Sequence, residues 1–533
     1  MITRRSFIKR SSVAAASALL LPSLHGCEAT PALKGTLAGP NVALGHKVRD
    51  LHQQQPARTK KQDVVIAGAG VAGLSAARWL SKNHIDFTLL ELENEAGGNS
   101  RAGTNAVSDY PLGAHYLPIP SIHHKELLQF LEESNVITGY ENNLPVYNEY
   151  YLCFDPKERL FINHHWQEGL IPHEGIPLKD REEIESFLKM MDDYRQLHGD
   201  DGKPAFTIPL DHSSQDRSLL QLDQISMQQF LIDHRFTSPY LNWYVDYCCA
   251  DDYGATINEV SAWAGIHYFA SRKGEAANAR IDDVLTWPEG NYFLIKQLRK
   301  GLEKNIESQC VVLSVQPMRD KVLVDYWDDR EGSLIRLEAN KVIMATPQFV
   351  NKHLLRTERV LSYTVFQYAP WMVANLTTHS TLDEKRGEPL SWDNVIYGSR
   401  SLGYVHATHQ NITVPKSETV ITYYQPLTGT DTANMRKMVQ QRKWNEWADS
   451  VFDDLQLAHP SLRASTSQLG VWIWGHGMIR PQPGFVWGQD RAIAKRSIDQ
   501  KIFFAHSDLS GVSIFEEAFN SGIMAARDLL KTS

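Results

Sequence analysis

Apolar positions along this chain fall into short strand-like runs separated by longer stretches with helical spacing. Residues 13–24 are mostly apolar. Residues 28–60 mix Pro, Gly, Gln and scattered charge without periodicity, which predicts a linker. Asp63-Val64-Val65-Ile66-Ala67 then predicts a buried strand, a glycine-rich break follows, and Leu74-Ser75-Ala76-Ala77-Arg78-Trp79-Leu80 opens a helix. Phe87-Thr88-Leu89-Leu90-Glu91 predicts the next strand. Residues 180–198 place Ile184, Phe187, Leu188, Met191 and Tyr194 on one helical face, and residues 435–457 do the same with Val439, Trp447, Val451 and Leu455. Strands are also expected at 310–315, 342–347, 372–377 and 419–424. Strands alternating with helices place the chain in the α/β class.

The glycine-rich break is Gly68-Ala69-Gly70-Val71-Ala72-Gly73, a GxGxxG pattern between a strand and a helix. The first glycine permits a tight turn, the second lets a pyrophosphate approach the backbone, and the third lets the helix pack on the strand. The helix N-terminus then offers N–H donors and a positive dipole end to phosphates. Glu91 ends the second strand, eighteen residues past Gly73, where a carboxylate holds ribose hydroxyls. Together these elements predict a Rossmann-like dinucleotide site.

After Glu91 come Ala96-Gly97-Gly98-Asn99-Ser100-Arg101. An acid, a short spacer and paired glycines resemble the E-x5-GGR pattern of the flavin-containing amine oxidase superfamily, which includes amine oxidases, protoporphyrinogen oxidases and carotenoid desaturases. Asn99 stands where that family carries Arg, so Arg101 is the candidate for the phosphate contact. The likeness continues in order along the chain. Pro111-Leu112-Gly113-Ala114-His115-Tyr116 resembles the segment passing the flavin ring. Pro288-Glu289-Gly290-Asn291 precedes a helix at 292–300. Cys310-Val311-Val312-Leu313-Ser314-Val315 resembles the strand that in the family touches adenine, with Val312 at the contact. Val342-Ile343-Met344-Ala345-Thr346-Pro347 resembles its VIxTxP turn. Residues 502–508, ending in Asp508, and 514–522, opening with Ile514 and Phe515, resemble the final FAD motif. The resemblance implies non-covalent FAD, because no Cys stands at 484–487 where covalent attachment would need one. It implies a Rossmann-like FAD domain from 61–121, 285–350 and 468–533, interleaved with a mixed α+β substrate domain from 122–284 and 351–467.

For chemistry, the aromatic segment 471–487 is the expected wall beside the flavin. It supplies Trp474 and His476, with Arg480 as a candidate for a substrate carboxylate; His115 and Tyr116 are expected at the flavin edge. Trp472 and Trp474 alternate and share one strand face. The lysine common in amine oxidases after the TxP turn is missing from Tyr368-Ala369-Pro370-Trp371-Met372-Val373, and Ile514 replaces an expected tyrosine. The reading is an FAD-dependent oxidoreductase taking hydride from a small organic substrate (an amine, an amino acid or a desaturable compound) and passing electrons to oxygen, a quinone or another acceptor. A non-redox flavoprotein, isomerase or hydratase, and a non-catalytic FAD-stabilised binding protein are the alternatives.

Composition adds bounds. With 54 basic and 62 acidic residues the net charge is −8, and no basic tract resembles a nucleic-acid footprint. The five cysteines lack paired spacing, so neither a zinc site nor a disulfide framework is indicated, and Cys248 and Cys249 read as buried thiols. His123-His124 and His164-His165 lack metal spacing and are expected at the surface. Thr3-Arg4-Arg5-Ser6-Phe7-Ile8-Lys9 before the apolar run resembles a twin-arginine signal, which implies engagement of the twin-arginine machinery and a periplasmic location. Leu24-His25-Gly26-Cys27 resembles a lipoprotein box, so lipidation at Cys27 is the one membrane link expected.

Overall fold

The computed structural model describes residues 33–51, 54–379, 382, 387–411, 417–429 and 431–532. The signal and lipoprotein-box segments, and the first residues of the expected linker, lie outside them.

Two large sheets organise the described residues. The first has seven strands, in the order Ile306–Glu307, Phe87–Leu90, Arg58–Ala67, Ser333–Met344, Val322–Asp328 and Cys310–Pro317, with Ile502–Phe504 pairing Ser333–Met344 in parallel. Its central strands are parallel: Val64–Ala67 run beside Phe87–Leu90 and beside 341–344. They are apolar on both faces because helices cover them. The helices Val71–Lys82 and Phe515–Lys531 pack together, and a Cβ at Gly522 would overlap the carbonyl oxygen of Ala72 and the hydroxyl of Ser75. All four central strands end at one edge: Gly68, Glu91, Ala345 and Ala505 follow their last residues. In open α/β sheets that edge is where ligands bind.

The second sheet has eight strands, in the order Lys34–Ala38, Thr466–Ile479, Tyr368–Thr378, Thr419–Pro426, Tyr404–His406, Asp393–Ile396, Glu158–Ile162 and His165–Glu168. Alternation along Tyr368–Thr378 divides its two faces. Trp371 and Val373 pack with the helices Leu178–Gln196, Met227–Asp233, Pro239–Tyr253 and Ala262–Ala270, whereas Met372 and Ala374 pack against Trp447, Val451 and Leu455. Thr466–Ile479 belongs to this second sheet, so the boundary expected at 468 does not separate the sheets.

Several expectations change. Residues 34–38 and 42–50, expected as linker, form a strand and a helix. The strand was hidden because all five of its residues are exposed, leaving main-chain pairing as the force that forms it. The helical stretch at 435–457 is two helices, Thr432–Gln441 and Trp444–Leu455. Arg442 is extended, and the Glu446 carboxylate accepts the Lys443 N–H at 2.7 Å to start the second. His124 is buried, not on the surface, because it precedes the helix Lys125–Glu133 and packs edge-on against Phe519 at 6.3 Å. Cys248 and Cys249 are buried free thiols.

Gly522→Ala should force the last helix off the first. The expected loss is about 1–3 kcal/mol, as for overpacking elsewhere, read from denaturant unfolding of the FAD-bound protein. An unchanged midpoint would show that the two helices are free to separate.

Candidate active site and cofactor cavity

Gly68, Ala69, Gly70, Val71, Ala72, Glu91, Gly97, Gly98, Asn99, Arg101, Ala114, Val312, Ala345, Asp508, Ile514 and Phe515 line one cavity of about 360 Å³ at the strand ends. Gly73 lies behind it, where a Cβ would overlap the carbonyl oxygen of Gly68. The glycines shape its wall. Gly68 has φ +98°, and a Cβ on Gly98 would stand 3.2 Å from the Gly70 Cα, so a side chain there would crowd the glycine-lined wall. The helices Val71–Lys82 and Phe515–Lys531 begin at this cavity without side-chain caps. Their first-turn N–H groups stay available to an anion or carbonyl.

The acids are held by protein donors. Glu91 accepts the N–H of Ala69 at 2.8 Å and of Glu93 at 2.9 Å. Burial raises its pKa above the usual range, although those amide bonds favour its charge. A carboxylate has about four acceptor sites, so two remain for hydroxyls. Asp508 accepts from Tyr368 at 2.5 Å and from the Gln348 N–H at 2.8 Å, and sits 3.0 Å from His506 Nδ1. Burial opposes its charge, but His506 and these donors outweigh burial and hold its pKa low. Arg101 pairs with Glu93 at 2.9 Å and covers Trp472 at 5.3 Å.

A second cavity, of about 160 Å³, opens from the first across Asn99, Ala114, Trp474, Gly477, Ile514 and Phe515. Gly113 and His115 line it rather than the dinucleotide cavity. Gly113 is forced by crowding, since a Cβ would overlap the Asn99 carbonyl oxygen. Aromatic rings form the walls: Tyr116, Tyr247, Tyr253, Trp371, Tyr424 and Trp474. His115 stacks on Tyr424 with centroids 4.5 Å apart, and burial pushes its pKa down to about 3, so it is neutral. Trp474 donates to the Leu112 carbonyl at 2.6 Å.

The polar groups of this cavity were not anticipated. Asp251, Asp252, Asp393 and Glu516 line it, with Arg272 as the one cation among the described lining residues. Arg272 donates to Asp252 at 3.1 Å and to the Tyr116 hydroxyl at 3.3 Å, and that hydroxyl lies 3.4 Å from Asp251. Burial, and for Asp251 its neighbour Asp252, push the pKa values of Asp251 and Glu516 up to about 7. The signal was present in the chain: Asp251-Asp252 and Glu516-Glu517 interrupt apolar helical runs, where charges are rare unless paired or used.

Two expected catalytic residues sit elsewhere. His476 lines the dinucleotide cavity, stacked on Phe349 at 3.9 Å, with its pKa lowered by burial to about 4. It does not line the aromatic cavity. Arg480, expected to take a substrate carboxylate, pairs with the partly buried Glu259 at 2.5 Å and donates to the Gly429 carbonyl at 2.9 Å. It lines neither cavity, because Glu259 neutralises it and ties the strand end to the helical layer.

Comparison with known proteins agrees with this architecture. Residues 71–530 match the family model for flavin containing amine oxidoreductase, and the chain belongs to that family. Putrescine oxidase bound to putrescine has a similar structure, with a TM-score of 0.64 and 16% identity over 89% of this chain and 100% of that one. Cyclohexylamine oxidase from Brevibacterium oxydans IH-35A gives 0.63 and 14%, over 89% and 99%. A CLA-producing fatty acid isomerase from P. acnes gives 0.62 and 14%, over 87% and 98%. At these identities the likeness shows the fold. Curated protein sequences gave no match. The protein is an FAD-dependent oxidoreductase of that family. The glycine-lined wall, two uncapped helix N-termini and the free acceptor sites of Glu91 fit that cofactor. When bound, FAD supplies the redox chemistry.

Glu516 gives a test of the aromatic cavity's electrostatics. A carboxyl whose pKa rises on folding, here from 4.5 to about 7, binds its proton more tightly in the native chain. Stability is therefore lost as pH rises across that window and stays lost above it. Glu516→Gln should raise Tm relative to wild type at pH 8 and leave it nearly unchanged at pH 4.5. A pH-independent difference would contradict the assignment.

Proposed function

We propose that the protein is an exported FAD-dependent oxidoreductase that oxidises a small organic amine bound in the aromatic cavity. The observation that carries this reading is an excess of acids: four carboxyl groups face one guanidinium inside aromatic walls, and burial opposes the ionisation of all four, an opposition that a bound cation would relieve. Such a cavity favours a cation, through carboxylate pairing and through the faces of Tyr and Trp rings. An ammonium must lose a proton before the adjacent C–H bond can yield hydride. Asp251 and Glu516, with pKa values near 7, are tuned to take that proton near neutral pH. Arg272 holds Tyr116 and Asp252 in place. Among the described residues no lysine lines either cavity, so proton handling falls to these carboxylates. The amine substrates named for putrescine oxidase and cyclohexylamine oxidase support this class.

A second reading, isomerisation without net redox, draws on Arg272 as an anchor for a carboxylate and on the fatty acid isomerase among the similar structures. Export is supported by the Arg4-Arg5 signal and the apolar run behind it.

Anaerobic mixing with a panel of amines should bleach the flavin, and neutral alcohols of the same skeleton should not. Asp251→Asn should raise KM about tenfold or more, the scale of a lost charged hydrogen bond. Equal bleaching by neutral analogues would overturn the cation assignment, and bleaching that reverses without an acceptor would favour isomerisation. Replacing Arg4 and Arg5 together with Lys should hold the protein in the cytoplasm; unchanged periplasmic recovery on cell fractionation would refute the export route.

A further inference from the structure

Residues 34–50 lie outside the span shared with the family and lead from one sheet to the other. Lys34–Ala38 pairs in parallel with residues 468–472 at the edge of the eight-stranded sheet. Gly35 lies flat against the Trp444 ring, where a Cβ would overlap it, and Trp444 is fixed by its bond to the Leu469 carbonyl at 2.9 Å. Gly39 passes close to the Ile473 carbonyl oxygen, 2.8 Å from where a Cβ would stand. Pro40 then forms part of the wall of the dinucleotide cavity. The helix Val42–Asp50 follows, capped by Asn41, and docks on Cys310–Pro317 by burying Leu44 against Val311 and Leu313. Lys47 adds a contact over the Trp327 ring at 4.6 Å. Both ends of the segment are thus anchored, one on each sheet, and its middle lies against the cavity.

The middle is wired into the site. The Asn41 N–H donates to Glu93 Oε1 at 2.6 Å, while Glu93 Oε2 takes Arg101 at 2.9 Å. The Glu93 N–H donates to Glu91, whose other oxygen holds the Ala69 N–H. One hydrogen-bonded path therefore runs from residue 41 to the glycine-rich turn.

We propose that residues 34–50 form a strap that belongs to the cofactor site, closing the end of the cavity lined by Glu91, Glu93 and Val312 and slowing the departure of FAD. The inference rests on FAD occupying this cavity. Release then requires the strap to lift from Glu93 or to peel from the strand beside it.

The test uses the full chain purified with FAD. Asn41→Pro removes the N–H donor and the helix cap, and the φ of −70° at this position suits proline. Gly39→Val presses the crossing off the Ile473 carbonyl. In both variants FAD release, followed by the fluorescence of freed flavin, should be about tenfold or more faster, the scale of one charged hydrogen bond. The unfolding midpoint should fall less in the FAD-free chain than in the FAD-bound one, since only the lost cap and its bond to Glu93 act without the cofactor. Hydrogen exchange at 34–38 should be slower with FAD bound than without it. If the variants purify without flavin although wild type holds it, the strap is needed for retention and the inference stands. If wild type itself holds no flavin, the FAD assignment fails instead. Release within about twofold of wild type, with exchange showing the strand detached, would overturn the strap, as would equal loss of stability with and without FAD.

Discussion

Everything in the cofactor site depends on one close approach, that of Gly73 to the carbonyl oxygen of Gly68. No side chain fits between them, so the helix Val71–Lys82 sits directly on the turn that ends the central strand. That seating brings the uncapped first-turn amides to the cavity and places Gly70 against Gly98. A second crowded crossing, Gly522 on Ala72, brings the last helix and its own uncapped start to the same cavity. Two positive helix ends meeting at one cavity form a site for a phosphate-bearing, electron-accepting ligand.

The two sheets divide the work. The seven-stranded sheet supplies the dinucleotide turn, Glu91 and Asp508 from the ends of its strands. The eight-stranded sheet supplies Trp371, Val373, Tyr424 and Trp474 from alternate positions, which become the walls of the second cavity. The strand Thr466–Ile479 borders both cavities, with Trp474 and Gly477 lining each. Charge then separates the two. One is built from backbone amides and helix ends, while the other concentrates carboxylates whose ionisation burial opposes. A bound cation would remove that opposition, which is the physical basis of the amine reading proposed above.

What could be read from residue order alone followed a physical rule. Positions where a positive φ or a close main-chain approach demands glycine, such as Gly68 and Gly73, declare themselves locally, as does the acid at the end of the next strand. Gly113, expected at the cofactor, lines the aromatic cavity instead, and its close approach to the Asn99 carbonyl could not be read from residue order. Residues whose role depends on distant partners were not. Arg480 looked like a carboxylate binder because Glu259, its partner, is far away in sequence. Asp251, Tyr116 and Arg272 meet only when the helical layer folds over the sheet. The strand Lys34–Ala38 had no alternation to reveal it, because its neighbour, not its side chains, makes it a strand.

The central claim is that one intact FAD occupies the cavity over the strand ends and is held without a covalent bond. The direct measurement is to denature the purified protein, spin out the precipitate and record the absorption spectrum and mass of the released chromophore. One equivalent of FAD per chain, all of it in the supernatant, is the result this account predicts. A colourless protein that takes up no added FAD, or a flavin that stays with the precipitated chain, would contradict it.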